Sequence, residues 1–243
     1  MSPRSMTASR RQFSMLLTAP LVLLGLSACG SLPTRPARAA VYDFGPGALD
    51  AAALTQPVGL PLLALADVET PGGVIDNLAV LYRLGYTDAR QLRPYAQAHW
   101  SMPAAALVQQ RLRQVLGQQH VVVSAAEAAT MARAQGKLPL VLQVELAEFT
   151  HYFASPQESF GLLRLQATVL ENTPVGVKVL AQRQVLSRQP ASTPDAPDGV
   201  RALAAATDAA AHELVLWLEP IEAARGFRPR CAALETACPD RRP

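Results

Sequence analysis

The chain has 243 residues, half of them apolar and 17% charged, which excludes a disordered polymer and suits one ordinary domain or two small ones. Its net charge of +3 is local: Arg4, Arg10 and Arg11 lie in the first 28 residues, which hold no acid, and the remaining 19 basic groups balance 19 acidic ones. A protein that wraps nucleic acid needs surplus Lys and Arg to release phosphate counterions, so no nucleic-acid partner is expected.

Those three arginines precede an apolar run from Met15 to Ala28 that contains Pro20. A membrane-spanning helix needs about 20 apolar residues, so this shorter run reads as the core of a secretory signal. It ends in Leu26-Ser27-Ala28-Cys29, which resembles a bacterial lipobox. Small residues there admit a peptidase that cuts before Cys29, whose thiol carries the acyl chains. Such chains add about 0.8 kcal/mol per buried methylene, so two or three hold a protein to a membrane almost permanently. Gly30 follows the cysteine, where an aspartate would favour the inner membrane, so the expected location is the outer membrane, facing the periplasm. Ser9 to Phe13 also resembles a twin-arginine export motif, with Ser14 in place of the usual leucine, and both export routes stay open.

Residues 1–28 are thus expected to be a lipoprotein signal peptide, and residues 29–40 a lipid-anchored tether. With Pro33 and Pro36, that tether spans roughly 30 Å at about 3 Å per residue. With Cys29 acylated, Cys231 and Cys238 remain. In an oxidising compartment they form either a small disulfide loop or two free thiols, and their spacing does not suit zinc.

The folded part is expected over residues 41–218, with a loose tail at 219–243. Val41 to Phe44 reads as a short strand stopped by Gly45-Pro46-Gly47. Leu60 to Val68 is an apolar run, Ala79 to Tyr86 a strand, and Tyr95 to Trp100 a short strand or an extended connection. A helix follows, with Ser101 as cap, Pro103 in its first turn and Gly117 as its stop. Its stripe is Ala104, Leu107, Val108, Leu112, Val115 and Leu116. His120 to Val123 reads as a strand, and Ala125 to Ala134 as a weak helix.

Three strands then form a meander. Leu140, Leu142, Val144 and Leu146 share one face. Phe149 and Phe153 have the opposite parity, which predicts a bulge near Ala147. Leu163, Leu165, Ala167 and Val169 alternate next, and Val177, Val179, Ala181 and Val185 after them. Arg164, Gln166, Gln182 and Gln184 imply a wet opposite face. After the Pro-rich segment 189–199 comes a helix with Asp198 as cap. Val200, Leu203, Thr207, Ala210, Leu214 and Trp217 form its buried stripe, and Pro220 its end. The fold class these elements define is a single α+β domain, with two main helices on one face of a mostly antiparallel twisted sheet.

Several segments in this order carry a family resemblance. VYDFGP (Val41 to Pro46) follows the tether, and LYRLGY (Leu81 to Tyr86) precedes QLRPYAQAHW (Gln91 to Trp100). QRLRQVL (Gln110 to Leu116), LQVELAEFTHYF (Leu142 to Phe153) and LAQRQV (Leu180 to Val185) follow in turn. Behind a lipobox, this layout resembles the ABC-type transport auxiliary lipoproteins, the paraquat-inducible C-like family that serves MCE-type lipid transporters. The resemblance covers roughly residues 41 to 218 and leaves out the segment with Cys231 and Cys238. It implies a non-catalytic auxiliary subunit at the outer membrane, partnered with an MCE-domain protein, a permease and an ATPase, and docking the MCE conduit there.

No catalytic signature accompanies it. The sequence has no P-loop, no G-x-S-x-G elbow and no H-E-x-x-H, and His99, His120, His151 and His212 lack ligand spacing from one another. Glu145, Glu148 and His151 are best read as polar residues on the wet side of a sheet. No enzyme, metal or cofactor is expected. The densest aromatic group, Tyr82, Tyr86, Tyr95 and Trp100, with Arg83 and Arg93 close in sequence, is either core packing or a partner surface. Beside the adaptor reading stands a freestanding periplasmic carrier holding a lipid or small apolar ligand, which would need an apolar pocket of a few hundred cubic ångströms. An envelope hydrolase is more remote, for want of a nucleophile–base pair.

Overall fold

The computed structural model describes residues 38–46, 60–73, 75, 77–135, 138–173 and 175–225. The chain divides after Arg38, and the fold below belongs to the second unit. The residues expected to form a lipobox, Leu26, Ser27 and Ala28, the expected acylation site Cys29, and the cysteines Cys231 and Cys238 lie outside the described residues.

Eight strands are described: β1 (Ala40–Tyr42), β2 (Leu62–Leu65), β3 (Ala79–Leu84), β4 (Ala89–Trp100), β5 (Val121–Ser124), β6 (Leu140–Phe153), β7 (Ser159–Thr173) and β8 (Gly176–Pro190). Four helices accompany them: the single turn α1 (Gly85–Asp88), α2 (Ala104–Leu116), α3 (Ala125–Gln135) and α4 (Ala196–Ala223). None among the described residues is long and apolar enough to cross a membrane.

The sheet is organised by β6. One of its edges pairs with β7 along its length, and β7 with β8, all antiparallel. The other edge forks: Leu140 to Leu142 pair with β2, which leads to β5, while His151 to Phe153 pair with β3, which leads to β4 and β1. Four of these pairings are parallel, namely β1–β4, β2–β5, β2–β6 and β3–β6. The sheet is therefore mixed, which corrects the mostly antiparallel expectation. Short turns force β6, β7 and β8 into antiparallel neighbours, whereas the long connections elsewhere permit parallel crossovers that local patterns do not encode.

The meander follows its hydrophobic alternation. The bulge expected near Ala147 is present, because the β6–β7 register shifts between Leu146 and Glu148. Leu142, Val144, Leu146 and Phe149 stay on one face with Leu163, Leu165, Ala167 and Val169, all at most 1% exposed. A second shift, opposite Val169 and Leu170, sets Leu180 apart in β8. It turns Val177 and Val179 to the outer face, where they are 64% and 60% exposed, against the expected shared face with Val185.

Helix α4 covers the inner face through Leu203, Ala206, Ala210 and Leu214, each fully buried. It crosses β7 at Gly161, where a Cβ would meet the backbone of Ala202 and Leu203. Its cap is Asp195, which accepts the Asp198 N–H at 2.9 Å. Asp198 instead accepts from the Thr193 amide and hydroxyl at 2.7 Å, so the cap lies three residues earlier than expected. Pro220 does not end the helix: its carbonyl still accepts the Ala224 N–H at 3.1 Å, so one further turn forms. That turn is bolted down by Glu222, whose carboxylate meets His120 Nε2 at 2.8 Å.

Helix α2 packs beside α4 with Leu107, Val108, Leu112 and Leu116 buried. Pro103, not Ser101, is its N-cap and makes no side-chain cap bond. Helix α3 opens on a reciprocal capping box: Glu127 accepts from the Ser124 amide and hydroxyl at 2.7 and 2.8 Å, and Ser124 Oγ accepts the Glu127 N–H. These bonds hold the Glu127 carboxyl below its usual range.

Candidate partner surface

The six residues singled out in the sequence fall in different places. Trp100 is 2% exposed and belongs to the core, with ring contacts to Phe44 at 5.8 Å and Phe149 at 5.6 Å. The Tyr82 and Tyr95 rings lie 4.6 Å apart on the inner face, tilted by 41°, and the Tyr95 hydroxyl reaches His151 Nδ1 at 2.8 Å. Arg93, directly across from Tyr82, bonds Gln91. Arg83 projects from the opposite face. Its guanidinium holds Glu148 at 2.9 and 3.3 Å and donates to the carbonyls of Ala89 and Arg90, tying the β3–β4 turn to β6. Tyr86, on α1, is 48% exposed. The sheet thus divides the group: Tyr82, Arg93 and Tyr95 share one face, Arg83 the other, and Trp100 neither surface.

His151 is not on the wet side of the sheet as expected: the bulge at Ala147 keeps it on the inner face, fully buried against Tyr95, Phe153 and Gly199. Burial lowers its pKa from 6.5 to about 4, opposed by the nearby Asp195 charge, and burial raises the Tyr95 phenol well above its usual value. In the unfolded chain this histidine takes up a proton near pH 6.5; in the fold it resists until about pH 4. Stability is therefore fully present above pH 6.5, falls as pH drops through that window, and levels below it. The expected loss is about 3 kcal/mol. Urea unfolding at several pH values, compared with His151→Leu, measures it; equal slopes in both proteins would contradict the assignment. Glu145 and Glu148 project from the outer face, opposite to His151, so the three acid–base side chains do not converge.

The VYDFGP segment is fastened to the core. Asp43 Oδ1 accepts the Gly45 N–H at 2.8 Å, a turn that Gly45 allows with its φ of 72°. Arg111 donates to the Phe44 carbonyl at 2.6 Å, lies 6.0 Å from the Phe44 ring and pairs with Asp208 at 3.2 Å. A groove of about 430 Å³ runs between this segment and the start of α4, lined by Tyr42, Phe44, Pro197, Val200 and Arg201 among others. It offers aromatic and apolar walls, with Asp43 and Arg201 as its charged residues.

The broadest feature is the outer face of β6, β7 and β8, opposite α4. Cross-strand rows run in order from Val141–Leu170–Val179 through Gln143–Thr168–Gln182 and Glu145–Gln166–Gln184 to Glu148–Arg164–Leu186. Thr150–Leu162–Arg188 and Tyr152–Phe160–Pro190 complete the face. Its middle is polar, as the alternation predicts, while both ends are apolar. At one end Tyr152 stacks on Phe160 at 5.0 Å and Arg188 covers that ring at 5.6 Å. At the other end the valines of β8 stand in solvent. At the valine end an unbroken alternation in β8 would turn Val177 and Val179 inward, and the bulge at Leu180 inverts it.

No family model matches the chain, and no curated protein matches it in sequence. Among solved structures it is similar to a Xanthomonas campestris protein described under the family label DUF330, at 18% identity over 71% of this chain and 93% of that one, with a TM-score of 0.57. A protein described as uncharacterised shares 13% identity over 74% of this chain and 99% of that one, TM-score 0.49. The Chlamydia trachomatis protein CT253 shares 11% over 65% and 95%, TM-score 0.44. The Xanthomonas likeness shows a common α+β fold.

Proposed function

We propose that this protein is a non-catalytic lipoprotein, anchored to the outer membrane through Cys29. In this reading it serves as the auxiliary subunit of an ABC/MCE-type lipid transport system and docks the MCE conduit from the periplasmic side. The observation that carries the reading is the order of a lipobox-like tetrapeptide, a Pro-containing tether and a sheet whose outer face exposes Val177, Val179 and Leu186. The inner face is filled: Leu163, Leu165 and Ala167 meet Leu203, Ala206 and Ala210 with none exposed to solvent. That packing favours an adaptor over a carrier holding a lipid between sheet and helix.

Crosslinking in the native envelope, followed by purification through this protein, tests the reading. Recovery of an MCE-domain protein with its permease and ATPase is expected. Recovery of lipid without a protein partner would transfer the case to the carrier. Separately, Cys29→Ala is expected to move the protein from the membrane fraction to the soluble periplasm, because no acyl chains then hold it. Persistent sedimentation with membranes would defeat the anchor.

A further inference from the structure

At the tip of the β7–β8 hairpin Val175 is 98% exposed, Val177 64% and Val179 60%. Val179 ends the apolar row Val141–Leu170–Val179, and β8 pairs with β7 alone. The outer edge of β8 thus stops an apolar row of the sheet one strand short of cover. Beyond Leu180 this edge is guarded by the bulge, by Arg183 bound to Glu213, and by Pro190, which has no N–H to offer. The stretch Gly176–Val179 has neither a bulge nor a proline, and its single charge is Lys178. Lys178 lies across from Glu171, whose carboxylate Arg225 binds at 2.6 Å and which the Lys178 charge also favours, so Lys178 shares that one acid with Arg225. From Gly176 to Pro190 the strand holds Lys178, Arg183 and Arg188 and no acid.

We propose that Gly176–Val179 receives a β-strand of a partner protein in which apolar, acidic and apolar residues alternate. The apolar residues cover Val177 and Val179, and the carboxylate meets Lys178 on the other face. Backbone bonds along an open edge supply affinity, and alternate side chains supply specificity. A second copy pairing through its own β8 fits poorly, since the charged residues of that strand are all cations.

The position agrees with such a role. Strand β1 runs antiparallel to β6, so Ala40 faces the end of the sheet that holds Phe153, and the valine tip lies at the opposite end. The proposal rests on the adaptor reading only in requiring a protein partner.

The test places a photo-crosslinking benzoylphenylalanine at Val177 in the full-length, membrane-attached chain, and at Arg90 as an exposed control. The expected adduct maps to an alternating apolar–acidic strand of another protein. Its yield falls about tenfold in Lys178→Glu and returns when the partner's acid is changed to lysine. Val175 carrying the same crosslinker should lose its adduct when Val177 and Val179 are changed to threonine, which keeps strand propensity. An adduct to a second copy, an adduct to lipid, equal yields at positions 177 and 90, or no adduct overturns the proposal. If an MCE protein co-purifies but the Val177 adduct is absent, the surface fails and the adaptor reading stands. An adduct to a fitting strand of an unrelated protein reverses that outcome.

Discussion

Changing Gly161 to alanine is expected to cost about 3 kcal/mol of stability, because the added methyl has nowhere to go. Gly161 lies on β7 opposite His151, and a Cβ there would enter the peptide between Ala202 and Leu203 of α4. A flexible side chain could swing aside, but a helix backbone must move as a unit. Moving it separates Leu203, Ala206 and Ala210 from Leu163, Leu165 and Ala167, all fully buried on the inner face. Chemical unfolding of Gly161→Ala beside the parent chain reads the cost as a shift in midpoint at constant slope. A midpoint equal to the parent's would mean that α4 does not approach β7 so closely.

The second large effect is expected at the far end of the same helix. His120 is 2% exposed and Glu222 7%. One ring nitrogen meets the Leu116 carbonyl at 3.2 Å and the other the Glu222 carboxylate at 2.8 Å. The pair fastens the turn beyond Pro220 to the end of α2. His120→Ala leaves a buried carboxylate without its partner, a change that costs about 3–5 kcal/mol. Replacing both residues by leucine removes the charge along with its partner and should recover most of that loss. Unfolding of the two single variants and the double variant closes the cycle. A double variant no more stable than His120→Ala would refute this account.

These two sites differ in how they could be found. Gly161 interrupts an apolar alternation, and an isolated glycine in a strand marks a close backbone approach. The His120–Glu222 contact joins residues 102 positions apart, and no periodicity connects them. The aromatic group shows the same limit. Tyr82, Arg83, Tyr95 and Trp100 are near neighbours in sequence, but strand alternation and the fork of the sheet send them to two faces and the core. Tyr95 finds His151, and Arg83 finds Glu148, through pairings between distant strands.

A leader-like segment, a lipobox-like tetrapeptide and the balanced charge of the remaining chain can be read without coordinates, and the expectations of an anchor, a compartment and no nucleic-acid partner rest on them. The same holds for α2, α4, the β6–β7–β8 meander and the bulge at Ala147, because 3.6- and 2-residue periods mark which side of an element is buried. Tertiary structure alone decided which strands are parallel, how β6 splits its edge between β2 and β3, and which face each aromatic occupies. It also decided where the surface is left open. A bulge at Leu180 turns Val177 and Val179 outward, although an unbroken alternation would have put them in the core. Pairing partners are chosen by burial and register across the whole sheet, and a local pattern carries no record of that choice.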